Sequence, residues 1–352
     1  MPAPDTRAAV PLFRSLPSNA RILFVRLRSM GDTLLLTSPL HALRNQFPDF
    51  HVSILLDPRF AACMDGNPDV DDVLTTGESK WATIRDLTGR RFDAVVNLHG
   101  GPTSLAYSIA AGRRRAGVEG YQFQRLYSTL APKNLDRRHT VKATMALFAA
   151  LGLDPVEPGP LHYAHHADDA EWVRASVGSG RYVVIHPAAV MKTKRWSEEG
   201  FAAVGERLTR EGYRIVLTCG PGEERVLTAT AARLPDSLIL VGLTIPRLAE
   251  LIRGADLYIG NDSGPMHLAA AVGTPIIAPW GSSDAVRWHP WHVPHTVVQN
   301  PFECNPCPGY KCLVASSPLC IESVTPAQVS DRAVAMIETL RQENPSRQAA
   351  HE

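Results

Sequence analysis

Short apolar runs alternate with amphipathic stretches along most of this chain. This alternation is typical of βα units that build a parallel sheet. It predicts strands at residues 21–27, 51–56, 92–98, 182–186, 214–219, 257–260 and 275–280. It predicts helices at 39–47, from Ser197 to Gly212, from Pro246 to Gly254, and at 265–272. The pattern therefore indicates two similar α/β halves.

The segment 152–168 separates these halves, because it is rich in proline and glycine and lacks a hydrophobic period. We take it as the linker between two domains, and a chain of 352 residues is long enough for two hydrophobic cores. The predicted organisation is a flexible N-terminal segment at 1–20, domains at 21–160 and 161–325, and a C-terminal helix with a frayed tail at 326–352.

The overall charge excludes one class of function. Lys and Arg number 36 and Asp and Glu number 35, so the net charge is +1. Overall charge therefore provides no attraction to nucleic acid, and no nucleic-acid partner is expected. The N-terminus lacks the apolar run of a signal peptide, and no stretch is as apolar and as long as a membrane span. We expect a cytoplasmic protein.

Candidate chemistry lies where strands are followed by helices, because ligands bind at the carboxyl edge of a parallel sheet. Arg28, Ser29, Gly31 and Asp32 form such a junction after the first predicted strand. Gly31 permits close approach of the backbone, and Asp32 places a carboxylate at a helix start beside two arginines. This arrangement suits an anion or a sugar, and the alternative is that Asp32 is an ordinary helix N-cap.

A second junction follows a strand of the second half. The amides of Ser263 and Gly264 at a helix start suit a diphosphate, and Lys194 after a neighbouring strand adds positive charge. The alternative is a plain tight turn between strand and helix. Glu223 or Glu224, after a third strand, offers a carboxylate for ribose hydroxyls. The chain has no P-loop and no G-x-G-x-x-G fingerprint, which weakens kinase and NAD-dehydrogenase interpretations, and no G-x-S-x-G nucleophile elbow.

A basic segment begins at Arg113 and Arg114. Between residues 113 and 142 the chain carries eight Lys or Arg residues and two acidic residues. Such a run is typical of a solvated face.

Four cysteines lie close together in the second half. Cys304, Cys307, Cys312 and Cys320 follow the spacing C-x₂-C-x₄-C-x₇-C. Their ligand type suits a tetrahedral zinc site, and the alternative is a set of reduced or partly paired structural thiols.

Three longer segments carry a resemblance to a known family. They are RILFVRLRSMGDTLLLTSPLHALRNQFP at 21–48, IHPAAVMKTKRW at 185–196 and IGNDSGPMHLAAAVGTPIIAPWGSSDAVRWHP at 259–290. In order and spacing they closely resemble the heptosyltransferases of lipopolysaccharide core synthesis, glycosyltransferase family 9. The resemblance implies an α/β fold of GT-B architecture, in which two Rossmann-like doubly wound parallel-sheet domains face each other across a cleft, the first for the acceptor and the second for the nucleotide sugar.

The resemblance also implies the reaction, which is inverting transfer of L-glycero-D-manno-heptose from ADP-heptose to the inner core of lipopolysaccharide. Asp32 matches the position of the general base, and Lys194 matches the lysine that meets the diphosphate. ADP-heptose is then the donor, no further cofactor is essential, and the partner is an anionic core precursor. The enzyme is expected at the cytoplasmic face of the inner membrane, in peripheral contact with it.

The remaining predicted site residues divide by substrate. The expected donor-binding residues are Asp262, Ser263, Gly264, His267 and either Glu223 or Glu224. The expected acceptor-binding residues are Arg28, Ser29, Gly31, His99, Arg113 and Arg114. Two alternatives stay open: another GT-B enzyme, such as a different sugar-nucleotide transferase or an epimerase, and a catalytically idle sugar-nucleotide-binding protein.

Overall fold

The computed structural model describes residues 11–133, 138–307 and 309–343. The chain divides into two compact units, Met1–Gly159 (unit 1) and Pro160–Glu352 (unit 2). In each unit the described strands form a six-stranded sheet in which every strand pair is parallel. Residues 1–10 of the predicted flexible segment 1–20 and residues 344–352 of the predicted C-terminal helix and tail 326–352 lie outside the described residues, as does Arg137 of the basic segment.

Unit 1 contains six strands and five α-helices among its described residues. The strands are β1 Arg21–Val25, β2 His51–Leu56, β3 Asp72–Thr75, β4 Ala94–Asn97, β5 Arg115–Val118 and β6 Thr129–Ala131. The helices are α1 Met30–Leu35, α2 Thr37–Gln46, α3 Lys80–Arg90, α4 Pro102–Ala111 and α5 Thr140–Ala150. The strand order is β3-β2-β1-β4-β5-β6.

Both faces of the unit 1 sheet are buried, as expected for a parallel sheet covered by helices on both sides. On one face Phe24 of β1 packs against Phe148 of α5, with ring centroids 5.4 Å apart. On the other face Val25 packs in a cluster with Leu87 of α3 and Tyr107 of α4. The continuous apolar runs in the sequence reflect this two-sided burial.

Unit 2 repeats the arrangement. Its strands are β7 Tyr182–His186, β8 Arg214–Cys219, β9 Leu238–Val241, β10 Leu257–Gly260, β11 Ile276–Pro279 and β12 His295–Val298. Its helices are α6 Ala167–Val177, α7 Glu198–Arg210, α8 Thr228–Arg233, α9 Ile245–Arg253, α10 Gly264–Ala271, α11 Ala285–Trp288, α12 Leu319–Glu322 and α13 Pro326–Glu343. The order β12-β11-β10-β7-β8-β9 is that of unit 1 read from the other edge.

Helix α7 forms where the local sequence pattern predicts a helix. Ser197 caps it by accepting a 3.1 Å hydrogen bond from the amide of Gly200, which satisfies one of the orphan donors of the first turn. Phe201, Val204 and Leu208 recur at helical spacing and are fully buried against the sheet. The predicted start and buried face of this helix are confirmed.

The proline-rich segment between the halves has no helix or strand from 152 to 166. It is nevertheless anchored: Leu153 is buried in the core of unit 1, and Tyr163 is buried in unit 2. The buried carboxylate of Glu250 accepts hydrogen bonds from the amide of His166 at 3.1 Å and from the ring of His165 at 2.9 Å. Each part of the segment therefore packs on its own unit. No helix among the described residues is both long and apolar enough to cross a membrane.

Candidate functional site

The first predicted junction lies at the topological switch point of the unit 1 sheet. Strands β1 and β4 are neighbours, and the chain leaves them toward opposite sides, so a crevice opens at their carboxyl ends. Arg28, Ser29, Gly31 and Asp32 follow β1, and His99 follows β4. The structure therefore brings these five predicted residues to one edge of the sheet.

Asp32 is held from two sides. It occupies the third position of α1, and its Oδ2 accepts hydrogen bonds from the amide of Ser29 at 3.3 Å and from Ser29 Oγ at 3.1 Å. Its other oxygen forms an ion pair with Arg26, whose second amino group donates to the carbonyl of Leu98 beyond β4. The N-cap is thus Ser29, not Asp32, and Asp32 completes a capping box. Its side chain remains about one-fifth exposed, within reach of a ligand.

His99 lies within the electrostatic reach of the same cluster. Burial lowers the pKa of its imidazole, the positive charges of Arg26 and Arg28 lower it further, and the carboxylate of Asp32 opposes them. The ring is therefore predominantly neutral at neutral pH and has a nitrogen lone pair that can accept a hydrogen bond from a sugar hydroxyl.

Two residues of this edge were not among the predicted site residues. Arg26 is the direct partner of Asp32, and its signal was a charged residue immediately after an apolar strand. Asn97, fully buried at the end of β4, accepts hydrogen bonds from the amides of His99 at 3.0 Å and Gly100 at 3.1 Å. It fixes the loop that carries His99, and a polar residue ending a buried strand was its signal.

Arg113 and Arg114 are not part of this cluster. They immediately precede β5, so they lie at the amino edge of the sheet, whereas Asp32 and His99 lie at the carboxyl edge. Arg114 donates instead to the carbonyl of Ser15 at 3.1 Å. In a parallel sheet the start and the end of strands lie at opposite edges. The structure therefore does not place these two predicted acceptor-binding residues beside Asp32.

The second predicted junction forms a connected network in unit 2. Lys194 follows β7, and its Nζ lies 2.7 Å from Oδ2 of Asp262, which follows the adjacent strand β10. The hydroxyl of Ser283, after β11, donates to the same oxygen. The side chain of Asp262 is only 5% exposed and that of Lys194 is 20% exposed. The buried carboxylate of Asp262 thus orients the partly exposed ammonium group of Lys194.

The start of α10 lies beside this network. Ser263 is the N-cap residue, and its side chain makes no capping bond. The amides of the first helical turn have no intrahelical acceptor, and here no cap side chain satisfies them. Gly264 and Pro265 begin the helix, and His267 is buried with its ring edge toward Trp288 at 6.4 Å between centroids. Amide donors and a lysine at one helix start form a cradle suited to phosphate.

Asn261 and Trp196 tie the loops of this cradle together. Asn261 Oδ1 accepts from the amide of Trp196 at 2.9 Å, and its Nδ2 donates to the carbonyl of Pro187 at 2.7 Å. Both residues are buried, so the loops after β7 and β10 are fixed to each other. Asn261 was not predicted as a site residue. Its signal in the sequence was an amide side chain at the start of the N-D-S-G turn, directly after an apolar strand.

Glu223 and Glu224 follow β8, the strand next to β7. The side chains of both accept hydrogen bonds from backbone amides of the turn that carries them. Glu223 accepts from the amide of Gly220 at 3.1 Å, and Glu224 accepts from the amide of Gly222 at 3.0 Å. Backbone hydrogen bonds lower the pKa of Glu224. The choice between the two as a ribose ligand stays open.

The cysteine cluster gives no metal site. Among residues 11–133, 138–307 and 309–343, no group of three or more His, Cys, Asp or Glu side chains is placed to hold a metal ion. Cys304, Cys307, Cys312 and Cys320 are free thiols. The predicted zinc site is therefore unsupported.

His186 is the last residue of β7, the strand that leads into the loop carrying Lys194. This histidine makes the stability of unit 2 depend on pH. Its Nδ1 is buried without a partner among the described residues, and burial lowers the pKa from 6.5 to about 4. The unfolded chain thus binds more protons between these values, so this stability is complete above about pH 6.5 and is lost toward pH 4.

We therefore expect His186→Leu to flatten the fall in melting temperature between about pH 7 and about pH 5, where preferential protonation of this histidine in the unfolded chain lowers the stability of the parent protein by roughly 2 kcal/mol. Thermal unfolding at both pH values measures it. The same substitution at the exposed His162 should keep the parent slope. An unchanged slope in His186→Leu would contradict this assignment.

Solved structures share this architecture. The chain matches an Escherichia coli ADP-heptose lipopolysaccharide heptosyltransferase II with a TM-score of 0.78 and 19% identity, over 92% of this chain and 99% of that one. It matches Escherichia coli heptosyltransferase WaaC, solved with ADP, with a TM-score of 0.72 and 22% identity, over 90% and 99%. The expected GT-B fold is confirmed by this agreement.

Sequence relatives define the family. The pattern of glycosyltransferase family 9 (heptosyltransferase) matches residues 80–316, and the chain belongs to this family. It is 29% identical to lipopolysaccharide heptosyltransferase 3 of Escherichia coli over 294 residues, which cover 75% of this chain and 84% of that protein. It is 25% identical to lipopolysaccharide heptosyltransferase 1 of Pseudomonas aeruginosa, over 91% of this chain and all of that protein.

Proposed function

We propose that this glycosyltransferase moves L-glycero-D-manno-heptose from ADP-heptose to the inner core of lipopolysaccharide, with inversion at the anomeric carbon. The observation that carries the proposal is the Lys194–Asp262 pair at 2.7 Å beside the start of α10. A mostly buried cation next to helix amides without intrahelical acceptors is a site for a diphosphate, and ADP-heptose presents that group. Relatives named for heptose transfer and a WaaC structure solved with ADP support this donor.

Lys194 and the turn at 262–264 would stabilise the leaving group. As the bond between the anomeric carbon and the diphosphate oxygen breaks, negative charge collects on ADP. A lysine held in place and helix amides already aimed at that point meet this charge without reorganising, which lowers the barrier more than it strengthens ground-state binding.

Asp32 would act on the acceptor. A hydroxyl of the core sugar attacks the anomeric carbon from the face opposite the departing diphosphate, forming the new glycosidic bond as the old bond breaks. The hydroxyl proton passes to the carboxylate of Asp32. Arg26 and Ser29 fix that carboxylate, and Arg28 and His99 offer a cation and a hydrogen-bond acceptor to an anionic, hydroxyl-rich sugar.

Mass spectrometry of reactions with ADP-heptose and a series of truncated core oligosaccharides tests the proposal. We expect one acceptor to gain a single heptose, with one ADP released per transfer. Products that retain ADP while the sugar changes its stereochemistry would indicate an epimerase instead. Binding of ADP-heptose without turnover on any acceptor would indicate an idle binding protein.

The basic segment of unit 1 would dock the enzyme on anionic lipid, and there it would meet a lipid-linked acceptor. Arg113, Arg114, Arg125 and Lys133 are exposed, and the exposed fraction of Phe123 between them is 62%. Exposed cations interleaved with an exposed aromatic ring suit an interfacial surface.

We expect Arg113→Gln/Arg125→Gln to bind vesicles rich in anionic phospholipid roughly thirtyfold more weakly than the parent protein, because each of the two basic residues near such a surface contributes about 1 kcal/mol. Cosedimentation at low salt measures this affinity. The control is Arg174→Gln/Arg332→Gln, which removes two exposed arginines of unit 2. Equal loss in both variants would argue against a specific docking face.

A further inference from the structure

Part of the cysteine-rich loop packs on the donor cradle, although its described residues form no group that could hold a metal ion. We call residues 305–307 together with Gly309 the loop clamp. The clamp contacts two loops of the cradle: the one that carries Lys194 after β7 and the one that carries Ser283 after β11.

The clamp binds both loops through separate hydrogen bonds. Thr193, directly before Lys194, donates its hydroxyl to the carbonyl of Gly309. The amide of Cys307 donates to the carbonyl of Ser282 at 2.9 Å, directly before Ser283. Asn305 Nδ2 donates to the carbonyl of Gly281 at 3.1 Å.

The two cradle loops that the clamp binds are also in direct contact with each other. The amide of Ser282 donates to the carbonyl of Thr193 at 3.4 Å. A Cβ atom on Gly281 would collide with that same carbonyl, so only glycine permits this approach. Thr193 is therefore fixed at its side chain by the clamp and at its carbonyl by the neighbouring loop, and it is 2% exposed.

We propose that Thr193 is a positioning residue, through which the loop clamp sets the place of Lys194 and so the affinity for the donor diphosphate. A lysine side chain is long and flexible, and Asp262 restrains only its tip, at 2.7 Å. The position of its Cα depends on the short turn Lys192–Lys194, which is outside any sheet or α-helix. The clamp adds a side-chain restraint to this turn beyond its backbone hydrogen bonds. This inference rests on the proposed donor site.

Thr193→Val tests it, because valine keeps the shape of threonine and removes the hydroxyl that holds Gly309. We expect ADP to bind about fivefold to tenfold more weakly by titration calorimetry, corresponding to one buried hydrogen bond lost through a displaced Lys194. The KM for ADP-heptose should rise in proportion, while the KM for the acceptor stays unchanged. Thr193→Ser, which retains the hydroxyl, should restore ADP affinity to within about twofold of the parent protein.

Thr274→Val is the matched control. Thr274 is also 2% exposed and donates its hydroxyl to a backbone carbonyl, that of Ile252 at 2.7 Å, but it precedes β11 at the opposite edge of the sheet. It should lose comparable melting temperature and retain parent ADP affinity. Asn305→Ala, which breaks the clamp from its own side, should weaken ADP binding in the same direction as Thr193→Val.

The outcomes separate this inference from the proposed function. If Lys194→Ala weakens ADP binding while Thr193→Val and Asn305→Ala bind ADP like the parent protein, the clamp is only structural and the inference fails. If Lys194→Ala binds ADP normally, the proposed donor site itself is wrong. If Thr193→Ser does not restore affinity, the hydroxyl contact is not the cause.

Discussion

Replacing Asp32 with asparagine is expected to lower the turnover number by about 10²–10⁴-fold, the range that a positioned general base contributes. Asparagine keeps the size of the side chain and one oxygen for Ser29, so α1 should persist. It cannot accept the acceptor proton, and it removes the charge that pairs with Arg26. ADP affinity should stay near that of the parent protein, because no residue of the unit 2 cradle changes. Steady-state kinetics with ADP-heptose and ADP calorimetry measure the two effects.

Asp71→Asn is the matched control for this variant. Asp71 also pairs with an arginine in unit 1, Arg44 at 2.7 Å, but it lies beside the amino end of β3, at the other edge of the sheet. It should cost stability and leave turnover per folded molecule unchanged. Transfer by Asp32→Asn at a parent-like rate would exclude Asp32 as the base and favour a mechanism without an acceptor-side carboxylate.

Replacing Lys194 with alanine is expected to weaken ADP binding by at least tenfold and to lower turnover by about 10²–10³-fold, because a preorganised donor is lost from the leaving-group side. The loss has a second part. Without Lys194, the buried carboxylate of Asp262 faces the diphosphate uncompensated and repels it. Calorimetry with ADP and kinetics under saturating donor separate the binding effect from the effect on turnover.

Two further variants make this prediction sharper. Lys192→Ala removes an exposed lysine from the same turn and should change ADP affinity by less than about twofold, since exposed charges are screened. The double variant Lys194→Ala/Asp262→Asn should recover part of the lost affinity, because the uncompensated charge is gone. Unchanged ADP affinity in Lys194→Ala would refute the role of Lys194.

The two halves of the chain were predictable to different degrees. In unit 2 the apolar runs predicted β7, β8 and β10 at their observed bounds, because each strand is buried on both faces and is bounded by a charged residue or glycine. The short strands β3, β5, β6, β9 and β12 were not predicted. All five hold only three or four residues and lie at or next to a sheet edge, where pairing with a neighbour decides the conformation and the hydrophobic period is weak.

The candidate site was likewise predictable from the sequence only in part. Sequence alone indicated the junctions at Asp32 and at 262–264, because a strand, a glycine turn and a helix start have a recognisable local pattern. It did not indicate that Arg26 pairs with Asp32 or that Asn261 joins two loops. These contacts link residues whose separation in sequence carries no periodic signal. For Arg113 and Arg114 the charge was evident from the sequence, but the sheet edge at which these residues lie was not.

By itself, then, the sequence determined two parallel α/β halves, the family, and the turns that carry Asp32, Lys194 and Ser263, because these follow from local pattern and from motifs in fixed order. The tertiary structure alone decided which side chains meet. Strand order placed β7 between β8 and β10, and so brought Lys194 onto Asp262 across 68 residues of chain. The physical reason is that burial and hydrogen-bond pairing act between neighbours in space, whereas sequence pattern records only neighbours along the chain.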